Sequence, residues 1–163
     1  MRRFLAILFI PWLLAAPTQA EEAASPGFAS DAPIEITSHR LKAQSDPRLV
    51  TFIGEVVARQ DDLVIYADRQ QVLFGGEDEQ IDTLEATGTV RIVQGDNIAT
   101  GEKAVYQRRV GIVTLSGAPR VRQGMDFVEG DEVIVYLDEG RSEVIGAENS
   151  RVKAVIHPRE EKP

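Results

Sequence analysis

The chain has 163 residues, no cysteine, and 18 Lys+Arg against 26 Asp+Glu, for a formal net charge of −8. That length suits one domain with a moderate core. The charge repels polyanions and gives no pull toward an anionic membrane surface, which argues against nucleic acid as a partner.

Residues 1–20, "MRRFLAILFIPWLLAAPTQA", combine Arg2 and Arg3, an apolar run and small residues at Thr18 and Ala20 spaced for cleavage. They read as a secretory signal peptide. The competing reading is an uncleaved anchor, but about 13 apolar residues interrupted by Pro11 fall short of the roughly 20 needed to span a bilayer. With Arg2 and Arg3 removed, 143 residues keep 16 Lys+Arg against 26 Asp+Glu, a charge of −10. An exported chain without cysteine has no disulfide framework and no lipoprotein attachment site, and the bacterial periplasm is the expected location. Residues 21–33 are small, acidic and Pro-containing and read as a flexible leading segment. The domain is expected over residues 34–156, with 157–163 as a charged tail.

Within the domain almost everything reads as short strands. Val50, Phe52, Gly54, Val56 and Ala58 alternate with polar residues, as do Leu84, Ala86, Gly88, Val90 and Ile92, and then Val113, Leu115, Gly117, Pro119 and Val121. Period two over nine residues is the signal of a half-buried strand. A glycine weakens a strand interior unless it marks a bend, so Gly54, Gly88 and Gly117 predict three equivalent bends. Each is followed six residues on by a glutamine in a turn signal (Gln60, Gln94, Gln123) and fourteen residues on by an acid (Asp68, Glu102, Asp131). The spacing is 34 residues from Gly54 to Gly88 and 29 from Gly88 to Gly117. Self-similarity at such a period predicts a stacked or rolled all-β array. The best helical candidate, residues 102–110, fits the repeat as strand. Residues 73–80, "LFGGEDEQ", lack the Lys and Ser/Thr of a phosphate loop and read as a hairpin loop.

No convergent nucleophile, base or metal cluster is legible. His39 and His157 lie at opposite ends of the domain with no partner at metal-ligand spacing. Asp68, Glu102 and Asp131 invite a carboxylate-pair reading. Acids at the same place in successive repeats more often hydrogen bond local backbone N–H groups, and each of these follows a small residue at a strand start. No catalytic residue, metal or cofactor is therefore expected.

The segments "PIEITSHRLKA", "VTFIGEVVARQDDLVIYADRQQV", "GTVRIVQGDNIATGEKAVY" and "GIVTLSGAPRVRQGMDFVEGDEVIVYL" together resemble the OstA-like repeats of the LptA family of periplasmic lipopolysaccharide-transport proteins, over roughly residues 34–156. The resemblance implies a twisted, slightly open β-jellyroll whose interior binds the acyl chains of lipid A. It also implies a place in a bridge from the inner-membrane transport complex to the outer-membrane translocon, with LptC-like and LptD-like partners. One departure is "SH" at Ser38 and His39, where the family commonly has an acid after the small residue. An LptC-like anchored subunit and a purely structural β-repeat module remain as alternative readings.

On strand alternation, Ile34, Ile36, Phe52, Val56, Leu84, Ala86, Val90, Ile92 and Tyr106 are expected to line the groove. The family's lipid-contact positions correspond at Ile34 and Tyr106. They correspond also at Val93, which is out of phase with the alternation and so tests the register. An open roll leaves its terminal strands unpaired. Ile34, Ile36 and Ser38 at one edge and Val152, Ala154 and Ile156 at the other are therefore expected to meet partners. Pairing end to start would give a head-to-tail homo-oligomer, and by family resemblance an inner-membrane partner at the N-terminal edge and an outer-membrane partner at the C-terminal edge.

Overall fold

A computed structural model of the chain describes residues 32–76 and 80–158. The expected signal peptide, most of the leading segment and the end of the tail fall outside the described residues. Twelve strands in that span form one antiparallel, unclosed sheet: β1 (Glu35–Thr37), β2 (Arg40–Ser45), β3 (Arg48–Gln60), β4 (Leu63–Gly75), β5 (Gln80–Gln94), β6 (Asn97–Gln107), β7 (Ile112–Ser116), β8 (Arg120–Gln123), β9 (Asp126–Glu129), β10 (Glu132–Tyr136), β11 (Arg141–Ile145) and β12 (Lys153–Val155). Gln60, Gln94 and Gln123 end β3, β5 and β8, each ahead of a tight turn. Residues 73–75, read from sequence as loop, extend β4. The stretch at 102–110 is strand only as far as Gln107 and then makes a 3-10 turn, Arg108–Val110.

Strands β3 to β6 are 13, 13, 15 and 11 residues long. Each is bent at its middle, so one chain segment serves two leaves. The first leaf runs β1, the end of β3, the start of β4, the end of β5, the start of β6, then β8, β9 and β12. The second runs β2, the other halves of β3 to β6, then β7, β10 and β11. Register shifts between Ile53 and Val56, Tyr66 and Arg69, and Thr87 and Val90 mark the bend line. A bulge inserts an unpaired residue and turns the strand, which is what folds the sheet over on itself. This is a rolled all-β array, as the repeats predict, in the open jellyroll form that the family resemblance implies.

Strands of two kinds alternate across the bend. Those carrying a glycine keep their phase: Val56 and Ala58 face inward on one side of Gly54 and Phe52 pairs with the buried Gln70 on the other. Those carrying an acid change phase: Leu63, Ile65 and Ala67 are buried before Asp68, and Gln70 and Val72 after it. The two kinds interlock at the bend. Gly88 has φ 99°, and a Cβ there would lie 2.6 Å from the Cβ of Asp68. The Asp68 carboxylate instead accepts the Thr89 N–H at 2.9 Å. Asp131 accepts the Ala147 N–H in the same way, at 2.7 Å. Asp68 and Asp131 do bind backbone N–H groups, as expected, but 21 and 16 residues away, on the neighbouring strand for Asp68 and just past β11 for Asp131, and not within their own turn. The first bend uses His39: its N–H donates to the Gly54 carbonyl at 3.0 Å, and its Nε2 lies 3.3 Å from Glu55 Oε2. The departure at Ser38 and His39 thus replaces an acid with an imidazole whose partner is itself an acid.

Candidate functional site

Near the bend the leaves touch through small side chains. Ala58, Ala67, Ala86 and Ala104 are all at most 6% exposed, which brings the two inner faces together. Away from the bend they diverge and leave two hollows. The larger, about 340 Å³, is walled by Ile34, Ala58, Leu63 and Ile65 from the first leaf and by Phe74, Ile81, Leu84 and Tyr106 from the second. The smaller, about 180 Å³, lies between Ile92, Ala99 and Val121 of the first leaf and Val113, Val133 and Val135 of the second. Leu63 borders both, so the hollows are successive parts of one apolar cleft. Both are partly open to solvent.

Ile34, Leu84 and Tyr106 line the larger hollow and Ile92 the smaller. Val56, Ala86 and Val90 are at most 1% exposed and are packed near the bend, lining neither hollow. Ile36 packs against that core, and Phe52 pairs across the sheet with Leu41 and Gln70. Val93 pairs with Val64 and Ile98, on the face opposite Ile92. It borders neither hollow, because successive strand residues point to opposite sides. The sequence reading missed Leu63, Ile65 and Phe74, which belong to the acid-bearing strand β4. Its inner halves are out of phase with each other, so no continuous alternation is visible; reading each half by itself gives Leu63, Ile65 and Ala67 directly.

Polar chemistry within the cleft is sparse. The Gln70 side chain is 0% exposed, with both its nitrogen and its oxygen unpartnered. Burial pushes the Tyr106 phenol above its ordinary pKa, and the nearby Arg108 charge opposes that shift. Arg59 and Arg108 also contribute to the lining of the larger hollow, Arg59 from a position that pairs across the sheet with Val64, out of phase with the inward Ala58. Among the described residues no three His, Cys, Asp or Glu side chains gather as metal ligands do. His157 closes the last strand: its N–H and Nδ1 both approach Asp126 Oδ1, at 2.8 and 2.9 Å.

Among the described residues the terminal strands have one neighbour each. β1 pairs only with β3 and β12 only with β9 on the first leaf; on the second, β2 pairs only with β3 and β11 only with β10. Ile34 and Ile36 flank or lie in β1, with Ser38 just after it; Ala154 lies in β12, between Val152 and Ile156. Exposed large apolar side chains concentrate here. Ile34 and Leu41 mark one end of the roll, and Ile145, Val152 and Ile156 the other.

Fold and cleft together define an open β roll of the jellyroll class with an apolar interior. The family model "LptA/(LptD N-terminal domain) LPS transport protein" matches residues 35–141, and the chain belongs to this lipopolysaccharide-transport family. An uncharacterized protein of Rhizobium meliloti (strain 1021) is 26% identical over 142 residues, covering 82% of this chain and 76% of that one. The fold is similar to the crystal structure of LptH from Pseudomonas aeruginosa, described as the LptA homologous periplasmic component of the conserved lipopolysaccharide transport device. The TM-score is 0.68 at 16% identity, covering 78% of this chain and 96% of LptH.

Proposed function

We propose that the protein binds lipopolysaccharide by taking the acyl chains of lipid A between the two leaves, and that it works in the periplasm as one unit of a bridge. The observation that carries this reading is the cleft: a well-packed sandwich would fill the space between its leaves, whereas this roll leaves two partly open, mostly apolar hollows. Burying a methylene is worth about 0.8 kcal/mol, so an acyl chain of about ten would gain on the order of 8 kcal/mol on leaving water. A lipid with several such chains does not cross an aqueous compartment unaided.

The bridge reading rests on the edges. Pairing β12 of one copy with β1 of the next would extend the first leaf, and pairing β11 with β2 would extend the second. Such a contact covers the exposed apolar residues of both ends and carries the cleft across the junction. Being heterologous, it has no built-in stop. By the family resemblance, the β1 and β2 edge faces an LptC-like inner-membrane partner and the β11 and β12 edge an LptD-like outer-membrane partner.

The test is mass spectrometry of lipid retained after gentle purification, together with site-specific photocrosslinking. Probes at Ile34, Leu84 and Tyr106 should capture lipopolysaccharide, and probes at Glu85 and Thr87 on the other face of β5 should not. Equal labelling of both faces would reject the groove. A purified protein that carries no lipid and takes none up would leave a structural β-repeat module as the better description. N-terminal sequencing of the exported protein tests the location: a start at Met1 would indicate an anchored subunit.

A further inference from the structure

The glutamines that recur in the sequence share one place in the fold. Gln60 stands opposite Leu63 across the β3–β4 pair, Leu63 opposite Gln94, Gln94 opposite Asn97, Asn97 opposite Gln123 and Gln123 opposite Asp126. Residues directly opposite one another in a sheet share a face, and Leu63, buried between the leaves, makes that face the inner one. Two residues nearer the bend, the next inward row is apolar, with Ala58, Ile65, Ile92 and Ala99 in register. The inner face of the first leaf thus passes from aliphatic to carboxamide one step before its turns. Gln60 lines the larger hollow, and Gln94 and Asn97 line the smaller, on either side of the shared Leu63.

We propose that this carboxamide row hydrogen bonds the uncharged amide and hydroxyl groups at which acyl chains join the headgroup of a bound amphiphile. This rests on the groove binding acyl chains, and it adds selectivity for the linkage at the head of each chain. An amide linkage offers an N–H and a carbonyl, the same pair that a glutamine or asparagine presents, whereas an ester offers acceptors only. A linkage drawn to the border of an apolar cleft gives up hydrogen bonds to water, and the row replaces them. Two of its members are already oriented: Gln60 Nε2 donates to the Ala32 carbonyl at 2.8 Å and Gln94 Nε2 to Asp62 Oδ1 at 3.3 Å. A primary amide has two donor hydrogens and two acceptor lone pairs, so a bond that orients it does not exhaust it. The turns just beyond carry the exposed Asp61, Asp62 and Asp96. Their charge repels a phosphate or carboxylate there, which leaves neutral groups as those the row suits.

The experiment compares N-lauroylethanolamine with 2-hydroxyethyl laurate, which share tail and terminal hydroxyl and differ in having N–H or O at the linkage. Both are titrated calorimetrically below their aggregation concentrations into the full mature chain, a Gln60→Leu/Gln94→Leu variant and a Gln71→Leu/Gln107→Leu control. The control glutamines stand opposite Glu85 and Thr83, on the outer face of the second leaf. The quantity read is the ratio of amide to ester affinity, because comparing it between proteins cancels the difference in hydration of the two probes. It should fall about threefold to tenfold in the Gln60→Leu/Gln94→Leu variant, the effect of one neutral hydrogen bond, and stay constant in the control. The ester should bind that variant at least as tightly as it binds the parent. Thermal melting curves check folding; if the double variant melts well below the parent, Gln94→Met alone should still lower the ratio at least twofold.

An unchanged ratio in the Gln60→Leu/Gln94→Leu and Gln94→Met variants overturns the role of the row and leaves groove binding intact, as does an equal fall in the control. A parent that takes up lipopolysaccharide but neither probe overturns it too, because the row then does not act on a single linkage. Failure to take up the probes and lipopolysaccharide alike removes the groove reading and the role of the row together.

Discussion

Gly88→Ala tests the interlock that folds the sheet. At φ 99° a residue with a side chain is strained by about 1–3 kcal/mol. The new methyl would also lie 2.6 Å from both Cβ and Cγ of Asp68, so the carboxylate must turn away and release the Thr89 N–H that it now holds at 2.9 Å. That exposed bond is worth about 0.5–1.5 kcal/mol, which brings the expected loss to roughly 2–4 kcal/mol. Urea unfolding of the mature domain followed by far-ultraviolet circular dichroism measures it. In an Asp68→Gly background the methyl meets neither Cβ nor carboxylate at residue 68, so Gly88→Ala should cost only its own backbone share, and the double-mutant cycle should show a coupling of at least about 0.5–1.5 kcal/mol. A loss below about 1 kcal/mol in the parent, or strict additivity in the cycle, would mean that the bend does not depend on acid and glycine meeting there.

Gln70→Met replaces a buried amide with no hydrogen bond by an apolar side chain of similar shape, and should raise unfolding stability by about 1–3 kcal/mol; a loss in the same assay would show that the amide has a partner. The Asp131 carboxyl is held below the usual aspartate value by the Ser150 hydroxyl and the Ala147 N–H. Because the folded value is the lower one, its stabilisation is present above the unfolded pKa of about 3.9 and disappears as pH falls through the folded value. Asp131→Asn should therefore lose stability at neutral pH but lose less than the parent on acidification from about pH 5 to pH 2, and parallel curves would contradict this. Deleting residues 152–163 removes β12 and should weaken concentration-dependent self-association, read by analytical ultracentrifugation, more than it weakens lipid uptake; unchanged oligomers would reject edge pairing.

Much of this architecture can be read in the chain. The alternation from Leu84 to Ile92 and from Val50 to Ala58 depends only on the two-residue period of a strand, a local property, and the glycines at equal places announce the bends because a glycine mid-strand has few other uses. Tertiary structure decided the rest. Whether Val93 faced in or out depended on register, which is a property of two strands and not of one. The inner residues of β4 were hidden by the phase change at Asp68, whose cause is a glycine 20 residues away on the neighbouring strand. The meeting of Ile34 and Leu63 with Phe74 and Tyr106 around one hollow required both leaves, because nothing local in the sequence fixes where a sheet folds back on itself until all the bends stack.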